Sequence, residues 1–164
     1  MEKNNEESAL EKLKEKYKII QKKYSLPSFE SMNEDFQIER ISETETDILI
    51  REIRKYIIEK ISNYLRFIET ILNPSNSPMF VFSIVKSLNT ENKEILNEMY
   101  KKLSKYEIEV LALDTEFSEH KEAEFIKNSY SNWQLIKKDF LKVIEFIKNN
   151  INKEFQENKK SYFN

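Results

Sequence analysis

Apolar residues recur every three to four positions along most of this sequence, the spacing that gathers them into one stripe on an α-helix. Each such stripe needs a neighbouring helix to cover it, which confines the chain to the all-α class. Residues 6–25 carry Leu10, Leu13, Tyr17, Ile20 and Tyr24 at spacings of 3, 4, 3 and 4. A helix is expected there, stopped at Leu26-Pro27 because the residue before a proline is pushed out of the α region and proline lacks an amide hydrogen. The next stretch, 28–42, mixes acids with Phe29, Met32, Phe36, Ile38 and Ile41, and reads either as a short helix or as an extended strap.

Ser42 with Glu45 three residues on has the form of a capping box, and opens a long helix that Asn73-Pro74 closes after Leu72. Its seam of Ile50, Ile53, Ile57, Ile61, Tyr64, Ile68 and Ile71 is broadened by Leu49, Tyr56, Ile58, Leu65 and Leu72, which marks it as the central helix. Ser77-Pro78 reads as a cap and first-turn proline for a nearly all-apolar helix over 78–88, expected to be buried. After Asn89, Leu96, Met99, Leu103, Tyr106, Val110, Leu113 and Phe117 repeat 3, 4, 3, 4, 3, 4, a heptad seam that calls for close antiparallel packing. The last stripe runs from Phe125 through Trp133, Phe140 and Ile147 to Ile151. It starts either at Ser118, with Glu119 and Glu122 following, or at the Ser131-x-x-Gln134 box, and the earlier turn is favoured. The expectation is one antiparallel bundle of four to five helices over 1–164, with 1–5 and 158–164 flexible.

Not one of the 164 residues is glycine, so no backbone position can use the one residue free to adopt positive φ. Phosphate-cradling loops, dinucleotide-binding turns, EF-hand loops and nucleophile elbows need glycine at fixed places and are absent in their usual form. The sequence also has no cysteine, which excludes disulfides, thiolate metal sites and cysteine nucleophiles, and fits a reducing, cytoplasmic location. The longest purely apolar run, 78–82, is far short of the ~20 residues that span a bilayer, and no charged start leads into an apolar leader, so membrane insertion and export are not expected.

Net charge is −2, without the basic footprint of a general nucleic-acid binder. The charges segregate, however. Residues 26–48 hold seven acids against Arg40 alone, and 107–124 hold seven against Lys121 alone, while 51–105 and 125–164 are each net positive by four. Acidic segments that attract basic helices within the fold explain this, and an acidic docking surface for a basic partner is the alternative.

Chemistry has few candidates. Glu116, His120 and Glu124 stand at i, i+4 and i+8, and on one continuous helix they would align two carboxylates and an imidazole for a divalent metal. The di-iron carboxylate bundles need two Glu-x-x-His pairs, which a single histidine cannot supply, and a turn at 118 separates Glu116 from the other two. No cofactor and no enzymatic activity is expected. All four arginines lie in 40–66, and Arg51, Arg54 and Arg66 on the central helix are candidates for contact with a partner's carboxylate or phosphate groups, or for pairing with the acidic 30–47 segment or with Asp47 and Glu52. Tyr162 and Phe163 are candidate aromatic anchors.

Residues 46–103, with Arg51-x-x-Arg54 and Lys60-Ile61 ahead of the 90–103 helix, loosely resemble the helical domain of archaeal GINS replication subunits, over about a third of the chain. That family also carries a small glycine-containing β domain, which this chain lacks; the resemblance implies a nucleic-acid-associated replication role. The reading that remains after these exclusions is a non-enzymatic protein-interaction or assembly module, self-associating or bound to another protein. A metal- or ligand-binding bundle and a nucleic-acid-associated subunit are the alternatives.

Overall fold

The structure is a computed structural model that describes the backbone of residues 2–44, 46–75 and 77–161 and the side chains of 9–44, 46–75 and 77–151. It is all-helical, with 87% of residues in helices and no strand among the described residues. Among the described residues there are six α-helices and one 3-10 helix, more than the four to five expected. They are α1 (Glu2–Tyr24), α2 (Phe29–Phe36), a 3-10 turn (Ile38–Glu43), α3 (Leu49–Leu72), α4 (Met79–Ser87), α5 (Thr90–Thr115) and α6 (Glu119–Ser161). Of the segments expected to be flexible, residue 1 and residues 162–164 lie outside the described residues, while the backbone of 2–5 belongs to α1 and that of 158–161 to α6.

The undecided stretch 28–42 is helical, and its local contacts show why. Ser28 caps α2 by accepting from the Ser31 amide at 3.1 Å, and Asn33 reaches forward to Glu39, donating to Oε2 at 2.8 Å and accepting from the Glu39 amide at 2.9 Å. That two-point clasp holds the 3-10 turn to α2. Ser42 does not cap α3: its hydroxyl donates to the Glu39 carbonyl at 2.7 Å within the 3-10 turn. The long helix therefore starts later, at Leu49, where Thr46 Oγ1 accepts from the Ile48 amide. Glu45, the other half of the expected capping box, lies outside the described residues. Likewise α4 begins at Met79 with Pro78, not Ser77, in the cap position.

The chain divides into two compact units, residues 1–62 with 106–132 and residues 63–105 with 133–164. In the first, α1, α2 and the 3-10 turn pack together. Leu13, Tyr17, Phe29, Met32, Ile38 and Ile41 are buried among them. Tyr17 meets Phe29 edge to face at 5.4 Å, and its hydroxyl donates to the Pro27 carbonyl at 2.8 Å, satisfying the polar end of a buried ring. Further along, Ile50, Ile53, Ile57 and Ile61 of α3 are buried at the expected spacing, and Tyr106 of α5 stands edge to face against Phe125 of α6. Asn132 donates to the Tyr106 hydroxyl at 2.6 Å.

The second unit has an aromatic centre. Tyr64 of α3 stacks on Trp133 of α6 at 5.0 Å and meets Phe140 edge to face at 5.1 Å, while Phe67 approaches Phe140 from the next turn at 6.1 Å. Leu96, Met99 and Leu103 of α5 are buried in this unit, as the heptad seam requires. Asn89 starts α5, its side chain accepting from the Asn92 amide at 2.8 Å.

Candidate interaction surfaces and a buried charge cluster

The arginines of α3 have different environments. Arg54 is only 2% exposed, and its guanidinium is held by two carboxylates from beyond α3: Asp114 near the end of α5, with Nη2 to Oδ1 at 2.5 Å, and Glu122 in the first turns of α6, with Nε to Oε2 at 2.8 Å. Arg51 lies 3.8 Å from Glu122 and stacks its guanidinium over the Phe117 ring at 4.5 Å. Arg66 is exposed. The acids that engage Arg54 thus come from the 107–124 segment, not from the 30–47 stretch named by the sequence.

Local sequence places this cluster. Ser118 begins α6, with its carbonyl accepting from the Glu122 amide at 2.9 Å, so the chain reverses at 116–118 and Glu122 points back into the unit; the Ser131-x-x-Gln134 box is interior to α6. Glu122 is fully buried, and burial pushes its carboxyl pKa above the ordinary value, with Arg54 and Arg51 opposing the rise and Asp114 adding to it. The Arg54 Nε and Glu122 oxygens are close but poorly aligned for a hydrogen bond. Their attraction is therefore mainly that of charge, and breaking it leaves an uncompensated ion inside the protein.

Glu116, His120 and Glu124 are not assembled into one face. Glu116 lies in the turn and pairs with Lys121 at 3.0 Å, while His120 and Glu124 are exposed and 3.4 Å apart on α6. Among the described residues no group of three or more metal-ligating side chains comes together. At the same helix start, Glu119 accepts from Lys23 at 2.8 Å and from the Tyr24 hydroxyl, which ties the end of α1 to α6 and holds the Glu119 carboxyl below its usual range. Tyr162 and Phe163 lie outside the described residues.

Among the described residues, α4 and α5 each leave neighbouring large apolar side chains exposed, and none of these was a candidate binding residue in the sequence. On α4, Val81, Ile84 and Leu88 are buried, but Met79 is 83% and Phe80 63% exposed, with Phe82 partly so. The 78–88 helix is therefore buried on one face only. On α5, Ile108 is 69% and Leu111 63% exposed, on the side of the helix away from buried Tyr106 and Leu113. Isolated apolar residues on a surface are ordinary; adjacent large ones on one helix face mark a contact surface.

No helix among the described residues is long and apolar enough to cross a membrane. Comparison with protein-family models, with characterised proteins and with solved structures gives no match.

Proposed function

We propose that this chain is a non-enzymatic helical interaction and assembly module that associates with itself or with another protein through apolar helix faces. The observation that carries the reading is the outer face of α4. Met79 and Phe80 stand in water within 73–85, a run with no charged residue in a chain that is 34% charged. Large side chains left uncovered in so neutral a stretch cost free energy until a second apolar surface covers them, at about 25 cal/mol per Å² removed from water. Long helices in antiparallel bundle packing would give such faces a rigid support. The lack of cysteine supports a reducing, cytoplasmic setting.

Sedimentation equilibrium of the purified chain, alone and mixed with host extract fractions, tests the reading. Mass above the monomer that is lost in a Met79→Ser/Phe80→Ser variant supports it. A monomer at all concentrations that captures no protein, with wild type and variant behaving alike, overturns it.

A further inference from the structure

Beyond the α4 face, α5 carries a second uncovered stripe whose surroundings define what can cover it. At 3.6 residues per turn, Ile108, Leu111, Ala112 and Thr115 fall on one side of the helix, roughly opposite Tyr106, Val110 and Leu113. The inner set is buried or half-buried, whereas all four outer residues are exposed. The stripe is flanked on one side by Glu107 and Asp114 and on the other by Glu109; from Tyr106 to the end of α5 there is no basic residue, and Lys105 and Lys101 bound the stripe one and two turns before Ile108. Asp114 is balanced by Arg54, whereas Glu107 accepts from the Ser62 hydroxyl at 2.7 Å. Neither Glu107 nor Glu109 is paired with a cation among the described residues.

An apolar stripe between carboxylates disfavours a second copy of itself, because two such faces would oppose like charges. It suits a helix that presents apolar residues at i, i+3, i+4 and i+7 between lysines or arginines. We propose that the outer face of α5, centred on Ile108 and Leu111, docks a basic amphipathic helix of a partner protein. Apolar contact supplies the anchoring and the flanking carboxylates select the partner's charge. The proposal gives the interaction reading a second surface with its own partner, and it stands or falls separately from the α4 face.

The probe is a synthetic amphipathic peptide with leucines at i, i+3, i+4 and i+7 and lysines elsewhere, compared with its all-glutamate counterpart and with a scrambled lysine peptide of the same composition. Titration calorimetry on the full chain should show binding of the ordered lysine peptide that weakens with salt, and no binding of the glutamate peptide. Ile108→Ser/Leu111→Ser, checked for unchanged helicity, should weaken it by roughly tenfold or more, because both side chains sit at the centre of the contact. Met79→Ser/Phe80→Ser should leave it unchanged, which separates this site from the α4 face. No binding, equal binding of the scrambled peptide, binding unaffected by Ile108→Ser/Leu111→Ser, or a dimer of the protein abolished by that variant would each overturn the proposal.

Discussion

Ser25 and Gln37 hold the left-handed backbone conformation, each at φ 55°, where most chains place glycine. Both end helices: the Leu26 amide reaches back to the Gln21 carbonyl at 3.2 Å, and the Gln37 amide to that of Asn33 at 2.9 Å. The absence of glycine was plain in the sequence, but which residues would carry the strain depended on where the helices ended. Ser25→Gly and Gln37→Gly are each expected to stabilise the protein by about 1 kcal/mol, read as a Tm rise of roughly 2–4 °C. No change, or a fall, would show that the side chains present relieve the strain.

Arg54 makes the opposite case, a residue whose type was noticed and whose partners were not. Its ion pair with Asp114 joins residues 60 positions apart, a separation at which no local pattern connects them. Arg54→Ala is expected to cost about 3–5 kcal/mol, since Glu122 is left buried without its counter-ion, while Arg54→Met with Glu122→Leu should recover most of that loss. Denaturant titration of Arg54→Met, Glu122→Leu and the two combined measures the coupling directly. A carboxyl whose folded pKa is raised binds its proton more tightly in the folded state. Its contribution is therefore complete below the ordinary glutamate value of about 4.3 and is lost as pH rises through the raised one. The Tm of wild type minus that of Glu122→Gln should thus fall over the interval above about pH 4. A difference that grows over that interval would mean the two arginines outweigh burial.

At the scale of elements, periodicity was a good guide where one face was apolar and the other polar. It located α1 and the α5 seam, because a lone stripe fixes which side of a helix is buried, while Asn73-Pro74 and the Ser118 cap located the end of α3 and the turn at 118. It was misread at α4, where the apolar run drew the expectation of full burial although Ser83, Lys86 and Ser87 fall on the side opposite buried Val81, Ile84 and Leu88. Burial followed from which residues met neighbours: Ile84 inward, Met79 and Phe80 outward. Ile84→Ala is accordingly expected to destabilise by about 2–5 kcal/mol, whereas Met79→Ser/Phe80→Ser should change stability by less than about 1 kcal/mol. Chemical unfolding of both variants checks this, and equal losses would mean that the outer face is covered in solution. The start of α3 was misplaced for a related reason, since Ser42 and Glu45 fit a capping pattern that the 3-10 turn pre-empts by taking the Ser42 hydroxyl.

For the molecule overall, the order of residues was enough to make the chain helical, to exclude disulfides and glycine-dependent sites in their usual form, and to mark roughly where the long helices run. These are properties of neighbours three and four residues apart, and they are written locally. Which apolar faces stay uncovered on α4 and α5, and which acids close around Arg54, was settled by packing alone. Those outcomes depend on distant segments arriving at the same place, and a helix with apolar residues on two sides gives no local sign of which side its neighbours will take.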